Sequence, residues 1–165
     1  MTRTRFGNPR LDEIFAYWLS KRQDGKLPGR ADIKPGEIGS ALRHVILVDV
    51  VREPGKPLQF RHRLIGSHNI EWLGRDYTGQ MLDEKLYGAA ADGIVASFAR
   101  IVAEARPFHR INRMDWNNQK FLVQEAVELP LADENGVITM ILRGAVFRRV
   151  LEGDGKTELF EPIIF

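Results

Sequence analysis

Few side chains in this chain could do chemistry. The histidines are His44, His62, His68 and His109, the serines are Ser20, Ser40, Ser67 and Ser97, and there is no cysteine. Without cysteine the chain has no disulfide, thiolate nucleophile, Cys-ligated zinc, iron–sulfur cluster or thiol-attached cofactor. Ser67 and His68 adjoin, but neighbours on a short helix do not face each other, and no nucleophile motif frames them. "GRDYTG" has two glycines but lacks the Lys-Ser/Thr ending of a phosphate loop. Two polar residues interrupt apolar strand stripes. His62 lies between Phe60 and Leu64, and Glu125 falls among Phe121, Val123, Val127 and Leu129. Both are expected to point into one cleft as polar groups of a pocket. His68, Trp72 and Tyr77 in "RLIGSHNIEWLGRDYTGQ" and Trp116 in "DWNN" complete the candidate ligand-binding set. The alternatives for these groups are surface or hydrogen-bonded histidines and aromatic rings covering the core.

These residues need elements to position them. Asn8 as N-cap and Pro9 at the first position start a helix, with Asp12 and Glu13 in its first turn, Lys21 and Arg22 in its last, and Gly25 as its stop. Leu11, Ile14, Phe15, Trp18 and Leu19 form one apolar stripe on it, to be buried against a sheet or a second chain. A Pro/Gly-rich loop follows, with a short helical turn at Ile38 and Leu42. Residues 44–51 and 58–65 form a hairpin around "EPGKP". A glycine-bounded helix around 67–73 and a longer helix at 88–105, ended by Pro107, come next. Strands at 108–116, 120–131 and 137–149 close the domain, turning at "NNQ" and "DENG". The final "LFEPIIF" docks as a strand or pairs with another chain. If the last long strand returns beside the first, the helices cross one face of a five-stranded antiparallel sheet and leave a cleft.

That order, with "YWLSKRQDGKLPGRADIKPGEI" (17–38), "FRHRLIGSHNIEWLGRDYTGQ" (60–80) and "LPLADENGVITMILRGAVF" (129–147), resembles a PAS domain. It is most similar to a small PAS-like family common in alphaproteobacteria. The resemblance implies an α+β PAS fold, sheet order 2-1-5-4-3, and a sensory or signalling role. It names no ligand. Haem-binding PAS domains generally carry the axial histidine on the long central helix. Residues 88–105 contain none, which argues against histidine-ligated haem. Flavin photochemistry through a cysteinyl adduct is excluded by composition.

The expected organisation is an N-terminal helix and loop (1–42), a sensory domain (43–150) and a tail (151–165). The basic groups exceed the acidic ones by only two, 24 against 22, which is too balanced to argue for nucleic acid. No apolar run approaches the roughly 20 residues of a membrane span, and the basic N-terminus lacks a signal-peptide core, so a cytoplasmic location is expected. The function expected is a non-enzymatic module that binds a small molecule, a signalling protein partner, or both. A homodimer is expected through Leu11, Ile14, Phe15, Trp18 and Leu19. Two alternatives remain open. One is a pocketless interaction module, its cleft filled by Phe98, Met114, Phe121 and Met140. The other is a cone-shaped α+β isomerase with Glu125 as base.

Overall fold

A computed structural model describes residues 4–114, 121–150 and 157–165. Its centre is one antiparallel sheet built from β1 (Val45–Val51), β2 (Gln59–Ile65), β3 (Phe108–Arg113), β4 (Leu122–Ala132), β5 (Ile138–Arg149) and β6 (Leu159–Pro162). The strand order is β2-β1-β5-β4-β3-β6. The expected 2-1-5-4-3 order is therefore present, and the C-terminal segment adds a sixth strand by pairing with β3. The "NNQ" turn lies outside the described residues.

The sheet is covered on both faces. On the front lie α3 (Ser67–Leu73), α4 (Glu84–Tyr87) and α5 (Ala91–Glu104). Phe98 and Ile101 of α5 are buried with Ile46, Phe60, Ala126, Ile141 and Ala145 in one core. On the back lies α1 (Pro9–Ser20), whose Leu11, Ile14 and Trp18 are fully buried with Leu47, Val127, Leu129 and Leu142 in a second core. Trp18 Nε1 donates to the Pro130 carbonyl at 3.0 Å. The apolar stripe expected to meet a second copy is thus occupied by the protein's own sheet. Leu11, Ile14, Phe15 and Trp18 are buried and Leu19 partly so. The C-terminus closes over the same helix, with Phe165 edge-on to Phe15 and Trp18. A short α2 (Pro35–Ile38) and a tight helical turn at Gly39–His44 lead from α1 into β1.

Local signals set the element ends. Asn8 caps α1, its side chain accepting from the Arg10 N–H. The helix stops at Ser20 with Lys21 as cap, earlier than expected; Arg22 lies beyond it, and Gly25 belongs to the turn that follows. Gly74 ends α3 in the left-handed region at φ 82°, as its position predicts. Gly66 is needed for closeness rather than for its dihedral. Its φ is −65°, but a Cβ there would press into the Arg43 carbonyl and meet the Val45 carbonyl oxygen at 2.8 Å. The register of β1 against β2 shifts between Leu47 and Val48, which pair with Leu64 and His62. This bulge turns Leu64 away from the face of Phe60 and His62, and leaves Leu64 exposed.

Counted across the break at Gly88, the 21 residues Glu84–Glu104 are long and apolar enough, by length and composition, for a bilayer span, against the sequence expectation. In the fold it is two helices joined by a tight turn at Gly88–Ala90, with Phe98 and Ile101 facing the sheet.

Candidate functional site

Between α5 and the front of the sheet lies a cavity of about 40 Å³. Its apolar wall is Ile46, Leu73, Ile94 and Phe98, and its polar wall is His62, Tyr87, Arg110, Asn112, Gln124 and Arg143, with Tyr77 at one side.

Register builds the polar wall. Glu128 on β4 stands directly opposite Arg143 on β5, and Arg110 on β3 pairs with Ala126, one inward position away. Glu128 is fully buried. It accepts from Arg143 Nε at 2.6 Å, Arg143 Nη2 at 2.9 Å and Arg110 Nε at 2.8 Å. Arg143 Nη2 also donates to the Gln124 side-chain oxygen Oε1 at 3.3 Å. Both guanidiniums lie over the Phe98 ring, 5.2 Å from its centroid. Arg110 Nη2 donates to Ser97 Oγ on α5 at 2.7 Å, tying the charge cluster to the helix above it.

Two guanidiniums share one carboxylate. Burial raises the Glu128 carboxyl, but Arg143 and Arg110 overcome this and hold it below the ordinary carboxylate value. For Arg110, burial together with the like charge of Arg143 outweighs Glu128 and lowers its pKa. Desolvating each ion costs several kcal/mol, whereas an aromatic face returns only about 0.5–2 kcal/mol. The cluster therefore keeps one positive charge that the described side chains offset only in part.

His62 adds no second charge. It is 4% exposed, and burial, with Arg143 behind it, lowers its pKa from 6.5 to about 3. Its Nε2 lies 2.9 Å from the Tyr87 hydroxyl. Burial raises the Tyr87 pKa, so the phenol stays protonated. His62 Nδ1 is buried with no hydrogen-bond partner among the described residues. The backbone of His62 fixes the crossover beside it: its carbonyl accepts from the Gly79 N–H at 2.7 Å, and its N–H donates to the Gln80 carbonyl at 2.9 Å. Asp76 closes the preceding turn by accepting from the Thr78 N–H and hydroxyl, which sets Tyr77 in place, buried, with its ring 6.5 Å from His62.

Of the residues singled out from sequence, His62 and Tyr77 line this cavity. His68 and Trp72 form a neighbouring aromatic group on α3. The His68 ring lies 4.1 Å from that of His44, and Trp72 stacks on Phe147 at 6.1 Å. Glu125 is on the other face of the sheet. It accepts from the Gly7 N–H at 3.0 Å and lies 2.8 Å from His109 Nε2, clamping the N-terminal segment. Both His62 and Glu125 are sheltered as expected, but they do not converge, because their strand positions differ in parity relative to the shared sheet. Trp116 lies outside the described residues. Among the side chains expected to fill the cleft, Phe98 and Met114 are in the front core, Met140 packs at the back, and Phe121 is 72% exposed.

Sequence reading passed over Arg110, Glu128, Arg143, Gln124 and Tyr87. A period-2 signal existed, since Gln124, Ala126 and Glu128 share one phase of β4 and alternate with Val123, Glu125, Val127 and Leu129 on the other. It reads as a solvent face, and the second helical layer makes it an interior one.

With this geometry in hand, comparison of the chain with protein-family models finds a match to the PAS domain family over residues 7–145. Comparison with curated proteins and with solved structures finds no match.

Proposed function

Because this chain belongs to the PAS domain family, we propose that it is a bacterial, cytoplasmic sensory module that takes a small molecule into the space between α5 and the sheet. The observation that carries this reading is the buried, incompletely neutralised polar wall joined to α5 through Arg110 and Ser97. A ligand that draws on Arg110 alters its hold on Ser97 and shifts α5, and differential binding of that kind is what converts occupancy into a signal. Output goes to a signalling protein partner or to a second copy of the chain. With α1 covered, self-association would use another surface. An enzymatic role has less support: PAS domains are typically sensory or binding modules, and Glu125, the isomerase base considered from sequence, is engaged with Gly7 and His109 behind the sheet.

Native mass spectrometry of the intact chain tests the proposal. A discrete added mass is expected, lost on denaturation and absent from Ile94→Trp, whose indole would fill the cavity. A second reading, a closed interaction module, is favoured by the cavity's size, since about 40 Å³ is far below the roughly 300–1,000 Å³ of ligand pockets. A uniform ligand-free mass, unchanged after incubation with a small-metabolite extract, would decide for that second reading.

A further inference from the structure

The shape and charge of the cavity narrow the ligand class. The inference rests on the reading of this cavity as a ligand site. Three observations converge. The cluster holds two guanidiniums against one carboxylate, and no second carboxylate lines the cavity among the described residues. His62 lines the cavity, is nine-tenths buried or more, and has an Nδ1 without a partner among the described residues. The opposite wall is hydrocarbon, made by Ile46, Leu73 and Ile94. We propose that the site takes a short-chain aliphatic carboxylate, its head beside Arg143, Arg110 and His62 and its tail against Ile46, Leu73 and Ile94.

The chemistry selects this class against its neighbours. A carboxylate supplies the missing negative charge and accepts charge-assisted hydrogen bonds from guanidinium donors. An inorganic oxyanion would leave the hydrocarbon wall facing polar oxygens. An amide of the same shape fills the same volume but leaves the positive charge uncompensated. The cavity of about 40 Å³ exceeds the roughly 10–15 Å³ that one water needs, so it suits a ligand of only a few heavy atoms. Longer chains require α5 to move.

The test is isothermal titration of the full-length protein with acetate, propionate and acetamide, using chloride and phosphate at matched ionic strength as controls, alongside native mass spectrometry. Acetate or propionate is expected to bind one per chain, at least about tenfold more tightly than acetamide, and to be lost in Ile94→Trp, which keeps every charge in place. Arg143→Met leaves Glu128 paired with Arg110 alone and removes the surplus positive charge, so it should bind propionate more weakly than wild type. The paired variant Glu128→Met/Arg143→Met buries no carboxylate and retains Arg110 and the wild-type net charge of the cluster. It loses only the Arg143 donors and should bind propionate more weakly than wild type but more tightly than Arg143→Met. Equal binding of acetate and acetamide, or equal effects of phosphate and acetate, would overturn the carboxylate assignment. A neutral metabolite found in the cavity would overturn it too while leaving the sensory reading standing. No carboxylate binding together with a uniform ligand-free mass would remove both.

Discussion

At the residue scale the interior polar groups have pH consequences of known sign. His62 has an ordinary pKa of 6.5 and a folded value of about 3. Between these values the unfolded chain binds more protons than the native state, so stability falls as pH is lowered below about 6.5, by at most about 1.4 kcal/mol per pH unit from this group. His44 and His68, lowered chiefly by burial, act in the same direction. Glu128 is held below its ordinary 4.5, so its contribution is complete above that value and is lost only as pH falls through its lower folded pKa. Urea unfolding between pH 7.5 and 5 should therefore show declining stability, and His62→Gln should flatten the decline. An unchanged slope would mean that His62 is not buried as a neutral ring. Glu128→Gln should cost about 3–5 kcal/mol at pH 7, because it leaves two guanidiniums in the core without a carboxylate. Replacing Arg110, Glu128 and Arg143 together by Leu, Met and Met should recover most of that loss in the same assay.

Elements meet here through small residues at points of closest approach. Gly66 and Gly79 both bound the crossover, for different reasons. Gly79 has φ 86° with open space around its missing Cβ, whereas Gly66 has an ordinary φ and two carbonyl oxygens pressed against it. Gly79→Ala should cost about 1 kcal/mol, the penalty of a left-handed residue. Gly66→Ala should cost more, because backbone must move. Equal thermal shifts for the two variants would contradict this assignment. On the back of the sheet, a Cβ at Gly144 would meet Ile14 Cδ1 at 2.8 Å. Gly144→Ala should destabilise by about 1–3 kcal/mol. Ile14→Val removes the opposing methyl, so a double-mutant cycle should show favourable coupling of the two changes. Additive losses would show that α1 sits further from β5. These contacts also mark how legible the elements were. The Asn8 cap, the α1 stripe, the hairpins and the Gly74 stop follow from local chemistry. The outward turn of Leu64 does not, because a bulge depends on the partner strand.

For the whole molecule, the two ends of the chain lock each other. Arg5 Nη2 donates to the Ile164 carbonyl, Arg22 lies over the Phe165 ring, and β6 covers the edge of β3. Removing residues 157–165 would expose an unpaired strand edge and the rings of Phe15 and Trp18. The truncated chain should melt at lower temperature and self-associate more in light scattering; an unchanged melting temperature would show that the tail contributes nothing to the fold. Sequence alone determined the order of elements, most of their boundaries, the turns at "EPGKP" and "DENG" and the family likeness, and through these the order of the first five strands. Such features are set by neighbours within a few residues, where capping, backbone dihedrals and side-chain period act. Three things were left to tertiary structure: which surface covers the α1 stripe, that Glu125 and His62 look out on opposite faces, and that Arg110, Glu128 and Arg143 form one buried charge cluster. Each depends on strand register and on the second helical layer. A sheet covered on both faces buries both phases of its alternation, so polar residues that read as solvent-facing along one strand become the interior site once the layers close.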